Sequence, residues 1–373
     1  MKKLICILLL FCQIHSFSIY VHSADLPFDV SAQSAVLYCV ERDEYIYSKN
    51  SDSVMPMASL TKIMTGIVVI ENADCDSVVE IDPSACGIEG SSVYLVPGER
   101  LTVKELLYAL LLESANDAAT ALAIAISGSV ANFTVLMNEK AEALGMSSSH
   151  FTNPHGLDDE DHYSSAADLA VLCSYALKNE LFAEIVSTVK IFIPYKDDPS
   201  GRFLVNHNRL LTSYSDCIGV KTGYTKRCGR CLVSAARRNG VTLISVTLNA
   251  SNDWNDHKSL FDWGFSLFSA YDLIDSNKYK DVHVINGTQS AIRGEIEPFS
   301  AILSEDEYNS IRKICNLKRF YFAPVAEGDI IGNVEYYAGD RLIGKSNIVA
   351  IESSDEVKIK RSIFEKLIDL FRR

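Results

Sequence analysis

A serine and a lysine stand three residues apart in the apolar stretch PMASLTKIMT, residues 56–65. On a helix, Ser59 and Lys62 would lie on one face, one turn apart and within reach of each other. A serine hydroxyl becomes a good nucleophile only when a base takes its proton, and a lysine can be that base only when it is neutral. The apolar neighbours favour the neutral amine, because burial penalises the charged form. Taken alone, such a pair more often marks a surface lysine at the start of an amphipathic helix.

Two further motifs follow along the chain. Ser-Ala-Asn, residues 114–116, falls in a predicted break between two helices, and Lys-Thr-Gly, residues 221–223, falls in a predicted strand. The three motifs together are far more specific than any one of them. In this order they are the signature of serine β-lactamases and penicillin-binding proteins.

The longer stretches around these motifs resemble the low-molecular-mass penicillin-binding proteins that act as serine-type D-alanyl-D-alanine carboxypeptidases. The stretches are ASLTKIMT, LLLESANDAATALA, TNPHGLDDEDHYSSAADLA, NHNRLL and GVKTGYTKRCGRCLVSAA. The resemblance is strong over residues 28–272 and looser beyond them. It implies a hydrolase of peptidoglycan biosynthesis that removes the terminal D-alanine from stem pentapeptides, is acylated by penicillin, and uses no cofactor and no metal.

The resemblance gives four residues a catalytic role. Ser59 would attack the carbonyl between the two terminal D-alanines and form an acyl-enzyme, while Lys62 takes its proton. Ser114 would pass a proton towards the departing amine. Asn116 would hold the lysine and the substrate amide through hydrogen bonds.

Four more residues would bind the substrate. Lys221 and Thr222 would bind the C-terminal carboxylate, one by its charge and one by its hydroxyl. Gly223 would let an extended peptide approach the strand backbone closely. The backbone N–H of Tyr224 would complete the oxyanion hole together with that of the nucleophile. The charge of Lys221 would also help to keep the neighbouring base neutral.

Two positions depart from the family pattern. His207 stands where some relatives carry an arginine that assists carboxylate binding, a role that Arg209 could take over. Cys228 stands where relatives commonly carry a small residue. The dithiol spacing of CGRC, residues 228–231, lacks the helix start that activates such thiols, so we expect packed thiols.

Two other functions and a metal site are the alternatives. A class A-like β-lactamase would need a base for deacylation, usually a glutamate in an E-x-x-L-N loop, and no such run lies between the second and third motifs. A non-enzymatic penicillin-binding scaffold for cell-wall assembly would not need the complete set of motif residues. The spacing of His150, His155 and His162 matches no common zinc pattern.

The elements that must position these residues are predicted from periodicity and capping. SAVLYCVERDEYIYSKN predicts strand, turn and strand, and CLVSAARR and VTLISVTLN predict neighbouring strands. Thr102 and Glu105 predict a capping box before a helix, a break and a second helix. Ser165 and Asp168 predict another helix start. DHKSLFDWGFSLFSAY predicts a helix that closes the region.

The predicted fold class is α/β, of the α+β kind. It is a penicillin-binding, transpeptidase-like catalytic domain, in which an antiparallel sheet is flanked by helices and accompanied by an all-helical lobe, with the active site between sheet and lobe. Residues 24–274 would form this domain. Residues 275–357 alternate in short runs with Gly-bearing turns and would form a small all-β domain.

The two ends of the chain predict where the protein works. Residues 1–23 have the layout of a secretory signal peptide. Residues 358–373 predict an amphipathic helix, which could pack on the β domain but which the resemblance favours as a membrane anchor. A net charge of −13 argues against nucleic acid as a partner. We therefore expect an extracytoplasmic enzyme, secreted and peripherally attached to the outer face of the cytoplasmic membrane.

Overall fold

The computed structural model describes residues 26–195, 198–273 and 278–358. The predicted signal peptide, residues 1–23, lies outside this part of the chain. So do all but the first residue of the predicted C-terminal helix, residues 358–373. Both stay predictions from the sequence.

The chain divides into two compact units. One contains the residues up to Arg237 together with Thr242–Asp262, and the other contains Arg238–Val241 together with the residues from Trp263 onwards. The domain boundaries given above, at residues 24, 274 and 357, stay predictions. The three sequence motifs all belong to the first unit.

The first unit is built on an antiparallel sheet. Its strands are β1 (Ser34–Cys39), β2 (Glu44–Lys49), β3 (Val78–Glu80), β4 (Arg100–Thr102), β5 (Lys190–Tyr195), β6 (Asp198–Val205), β7 (Cys217–Thr225), β8 (Gly229–Arg238) and β9 (Val241–Leu248). Five of them form a sheet with the order β2-β1-β9-β8-β7, and β3–β4 and β5–β6 are separate hairpins. The predicted β1–β2 pair and the predicted neighbours β8 and β9 are confirmed. Strand β7 lies at the sheet edge, so among the described strands one of its sides stays open.

Helices cover the sheet and form the lobe. They are α1 (Thr61–Asn72), α2 (Val103–Leu111), α3 (Asn116–Ser127), α4 (Val130–Ala143), α5 (Ala166–Ala176), α6 (Glu180–Ser187), α7 (Leu210–Ser213) and α8 (Asp253–Leu267). The predicted capping box of Thr102 and Glu105 starts α2, and Ser165 accepts the Asp168 N–H at the start of α5. No single helix in residues 26–195, 198–273 and 278–358 is long and apolar enough to cross a membrane. Helices α3 and α4 pass that test only together, as a pair bent by 87°.

Helix α1 runs through the core of the first unit. Its first nine residues, Thr61–Val69, are all buried. Each apolar side chain among them stabilises the fold by about 1.5–3 kcal/mol through burial. The same packing takes Lys62 out of water, so the helix that builds the core also creates the environment of its lysine.

The second unit is rich in β-structure. Its elements are β10 (Ser269–Asp272), β11 (Tyr279–Ile285), β12 (Ala291–Ile296), β13 (Ser300–Leu303), α9 (Glu305–Asn309), β14 (Ile311–Leu317), β15 (Phe320–Phe322), β16 (Ile330–Ala338) and β17 (Arg341–Ala350). Six strands form a sheet with the order β14-β16-β17-β12-β11-β15, and β10 pairs with β13. Leu303, Tyr336 and Ile348 are central in its apolar core.

One predicted helix is too long. Helix α8 ends at Leu267, whereas the sequence pattern continued it to residue 271. Ser269–Asp272 instead pairs antiparallel with Ser300–Leu303. A partner strand distant in sequence thus overrides the local helical periodicity, because the ladder satisfies the backbone groups of this segment.

Candidate active site

Ser59 lies in a short 3-10 turn, Ala58–Leu60, that leads directly into α1. The residue before it, Ala58, has a φ of 48°, in the left-handed region that residues with a Cβ rarely adopt. Such strain persists only where the surroundings enforce it. The turn leaves Ser59 half-buried on the wall of a cleft of about 460 Å³.

Lys62 is fully buried and reaches three oxygen atoms with its Nζ. It lies 3.0 Å from Ser59 Oγ, 2.7 Å from Asn116 Oδ1 and 2.5 Å from the carbonyl oxygen of His155. Burial lowers the pKa of this lysine well below its usual 10.5, and the nearby charge of Lys221 lowers it further. The surroundings of the side chain that the sequence placed beside the serine therefore favour its neutral amine form.

A loop, residues 153–157, packs along the first turns of α1. The Thr65 hydroxyl donates to the Pro154 carbonyl at 2.6 Å, and Lys62 meets the next carbonyl along the loop, that of His155. Gly156 follows with a φ of 89°, and a Cβ there would clash with the Ala58 carbonyl oxygen. The loop therefore fixes both the lysine and the strained turn before Ser59.

The second motif closes the opposite side of Lys62. Ser114 has a φ of 61° and lies in the break between α2 and α3, where it lines the cleft. Asn116 begins α3 and is held at three points: its N–H donates to the Ser91 carbonyl, its Nδ2 donates to the Glu89 carbonyl and its Oδ1 faces Lys62. The amide is thereby oriented with its oxygen towards the lysine.

The third motif lies on the edge strand β7. Lys221 is buried, and burial lowers its pKa to about 7 while Glu113 opposes that shift. Thr222, Gly223 and the 67% exposed Tyr224 line the cleft. A Cβ at position 223 would lie 3.1 Å from the Met57 carbonyl oxygen and 3.3 Å from the Leu60 nitrogen, so glycine lets β7 approach the turn that carries the serine.

Glu113, the residue before the second motif, contacts the end of β6 and the segment that follows it. Its carboxylate accepts the Val205 N–H at 2.6 Å and pairs with His207 at 3.1 Å. His207 and Arg209 both line the cleft. Arg209 is exposed there, so a guanidinium is present close to Thr222 although the position of His207 carries no arginine.

The structure brings all eight predicted site residues to one place. Those that line the cleft are Ser59, Ser114, Thr222, Gly223 and Tyr224. Lys62, Asn116 and Lys221 are buried behind them. Sequence reasoning missed the His155 carbonyl and Glu113, because a backbone oxygen leaves no signature in the residue type and a lone glutamate matches no motif.

The histidines of the loop region are occupied by internal contacts. His162 Nε2 lies 2.7 Å from the Thr61 hydroxyl, and its Nδ1 accepts the Thr152 N–H at 3.0 Å. His150 Nδ1 lies 2.6 Å from the Asp161 carbonyl oxygen. In the described part of the chain, no group of three or more His, Cys, Asp or Glu side chains could hold a metal ion.

Comparison with known proteins matches both parts of the chain. The D-alanyl-D-alanine carboxypeptidase family model matches residues 20–252, and the model for the C-terminal domain of penicillin-binding protein 5 matches residues 268–356. The chain is 34% identical over 334 residues to D-alanyl-D-alanine carboxypeptidase DacF of Bacillus subtilis, covering 86% of this chain and 85% of the relative.

Solved structures agree with this match. Penicillin-binding protein 5 from Haemophilus influenzae superposes with a TM-score of 0.68 at 28% identity, covering 89% of this chain and 100% of that one. The Streptomyces K15 DD-transpeptidase superposes with a TM-score of 0.62 at 32% identity, covering 65% of this chain and 100% of that one. The fold and the site define a serine-type peptidase related to penicillin-binding proteins. The chain belongs to the D-alanyl-D-alanine carboxypeptidase family.

Replacing Gly156 by alanine should slow acylation of Ser59 by about 100-fold, because the new Cβ would displace the Ala58 carbonyl and a 1 Å shift at a reacting group can cost that much. The measurement is the acylation rate with a fluorescent penicillin, alongside thermal unfolding. Gly145→Ala is the matched control: φ is 73° and nothing lies within 4 Å of a Cβ there, so it should share the backbone strain and keep the rate. Equal rates in the two variants would contradict the role of the loop.

Proposed function

We propose that this chain removes the terminal D-alanine from peptidoglycan stem pentapeptides through an acyl-enzyme on Ser59, and that penicillin acylates the same hydroxyl. The observation that carries the proposal is the set of three oxygen atoms around Lys62 Nζ. These contacts determine whether Ser59 or Lys62 holds the shared proton before the reaction begins.

A neutral amine has two N–H donors and one lone pair. The Asn116 amide oxygen and the His155 carbonyl oxygen can only accept, so they take the two N–H groups of Lys62. The lone pair is left for the third neighbour, Ser59 Oγ, at 3.0 Å. The serine hydroxyl then donates to the lysine, which is the geometry that general-base activation needs.

In the first half of the reaction, Ser59 Oγ bonds to the carbonyl carbon of the penultimate D-alanine while Lys62 takes the hydroxyl proton. The negative charge that develops on the carbonyl oxygen is stabilised by the backbone N–H groups of Ser59 and Tyr224. Ser114 passes the proton from the lysine to the leaving amine, and D-alanine departs. Water then attacks the ester, with Lys62 again as base, and frees the serine.

The substrate is held by β7 and its neighbours. Its terminal carboxylate binds Lys221 and the Thr222 hydroxyl, with Arg209 as a further cation at the cleft. The extended peptide pairs with the open edge of β7, where Gly223 leaves its backbone accessible. A peptide with a free C-terminus can therefore pair its carboxylate with Lys221 and its backbone with the edge of β7. This arrangement favours a carboxypeptidase over an endopeptidase.

Replacing Ser59 by alanine should abolish D-alanine release from a stem pentapeptide and covalent labelling by penicillin, because the nucleophile is lost; the expected loss in rate is on the order of 10⁶. Ser53→Ala, at an exposed serine of the same segment, is the control and should keep both activities. Labelling that persists in Ser59→Ala would refute the assignment. Penicillin labelling of the wild type without D-alanine release would favour a non-enzymatic scaffold. Rapid loss of the penicillin label would favour a β-lactamase.

At saturating penicillin, where carboxylate binding by Lys221 no longer limits the rate, acylation should rise with pH and level off well below pH 10.5, because Lys62 accepts a proton only when it is neutral and its pKa is lowered by burial. Protonation at low pH should therefore remove activity. Lys62→Arg, which stays cationic at every accessible pH, should lose acylation by about 10²–10⁴-fold and lose the pH step. A wild-type rate that keeps rising up to pH 10.5 would show that the lysine is not the base.

We further propose that the enzyme works outside the cytoplasm and is attached to the outer face of the cytoplasmic membrane through residues 358–373. Deleting this segment should release the mature enzyme from vesicles that contain anionic lipid, because the apolar face and the basic residues are lost together. D-alanine release in solution should stay within about twofold. Sedimentation of the truncated and full-length enzymes with vesicles is the measurement, and equal sedimentation would contradict the anchor.

A further inference from the structure

Two thiols lie together at the turn that joins β7 to β8. Cys228 is the last residue before β8, and Cys231 is the third residue of that strand, opposite Gly223 of β7. Both are free thiols and almost fully buried, with exposures of 2% and 1%. The pair therefore lies at the start of a strand, and the prediction that its thiols are packed is confirmed.

The surroundings of Cys228 favour its thiolate. The Thr225 N–H donates to its Sγ at 3.2 Å, and the Thr225 hydroxyl, which donates to Asp158 Oδ1 at 3.0 Å, lies 3.2 Å from the same sulfur. The Cys231 Sγ lies 3.8 Å from the Cys228 carbonyl oxygen, and the neighbouring Cys231 side chain lowers the pKa of Cys228 to about 7. The pKa of Cys231 is raised, mainly by the same contact. The turn thus supplies the donors that a helix start supplies in other dithiol motifs.

We propose that Cys228 and Cys231 form a modification site that a small hydroperoxide converts to a disulfide. Two thiols three residues apart, one of which accepts the Thr225 N–H, provide an attacking and a resolving sulfur. Their burial favours small reagents, and Cys231 lines the cleft, where a small peroxide or a small dithiol can approach it. Gly229, with a φ of 68°, lets the chain fold back so that the two side chains meet.

The chemistry takes two balanced steps. The Cys228 thiolate attacks one peroxide oxygen, so that an S–O bond forms, the O–O bond breaks and hydroxide leaves. The Cys231 sulfur then attacks the Cys228 sulfur: the S–S bond forms, the S–O bond breaks, and the hydroxyl leaves with the thiol proton as water. The two cysteines lose two electrons and the peroxide gains them. A dithiol reductant reverses the change by thiol–disulfide exchange.

The disulfide would act on the catalytic strand through two contacts. A disulfide sulfur is a weaker acceptor than a thiolate, so the Thr225 N–H, directly after Tyr224, loses its partner. Cys231 lies opposite Gly223, which packs closely against Met57 and Leu60 on either side of the nucleophile turn. We expect acylation of the oxidised enzyme to be about fivefold slower, the effect of one lost hydrogen bond. This expectation rests on the proposed function; the disulfide itself does not.

The experiment treats the purified mature enzyme with hydrogen peroxide and divides each sample. One half is alkylated, digested and mapped by mass spectrometry, where a linked Cys228–Cys231 peptide is expected. The other half is assayed for acylation by fluorescent penicillin before and after reduction with dithiothreitol. The wild type should slow about fivefold and recover fully.

Variants separate this pair from the other thiols. Cys228→Ala and Cys231→Ser should each lose the response to peroxide, whereas Cys75→Ala, at a half-buried thiol far along the chain, should keep it. Absence of the linked peptide, or an unchanged response in both pair variants, would overturn the inference. A linked peptide with an unchanged rate would overturn the coupling to the active site. A wrong proposed function would give a different result from a wrong inference about the thiols, because the reduced wild type would then not be acylated at all.

Discussion

The burial of one lysine amine organises the active site. Taking Lys62 out of water would cost several kcal/mol if it stayed charged, and the fold reduces this cost by favouring the neutral amine and giving its N–H groups two carbonyl partners. Those partners come from different segments, the start of α3 and the loop before α5. The lysine therefore links segments of the chain that are distant in sequence. Its chemistry and its structural role follow from the same burial.

The parts of the fold that local sequence determines were predictable. The Thr102–Glu105 capping box, the β1–β2 hairpin and the three motifs each depend on residues within a few positions of one another. The motifs also carried the fold class, because their order along the chain is specific to one architecture. Convergence of the motif residues on one cleft followed from the resemblance and not from periodicity, which contains no information on distance between elements.

Features that depend on distant partners were not predictable. The end of α8 at Leu267 is decided by a strand some 30 residues later, and the positive φ of Ala58 and Ser114 by packing around them. The carbonyl of His155 is the clearest case, since any residue could supply that oxygen. The spacing of the thiols at residues 228 and 231 was visible in the sequence, but the Thr225 N–H that donates to the Cys228 sulfur depends on the shape of the turn.

The close approach of β7 to the nucleophile turn limits where this enzyme can change its preference among antibiotics. A side chain at position 223 would press on the nucleophile turn, because its Cβ would lie 3.1 Å from the Met57 carbonyl oxygen and 3.3 Å from the Leu60 nitrogen. The next residue, Tyr224, is two-thirds exposed and borders the same cleft. Selection by a new β-lactam would therefore find tolerated substitutions at the rim, where they change the fit of the drug's side chain, while the dipeptide-like core of the drug still meets an unaltered strand. Resistance by exclusion of that core would require the enzyme to give up its own substrate.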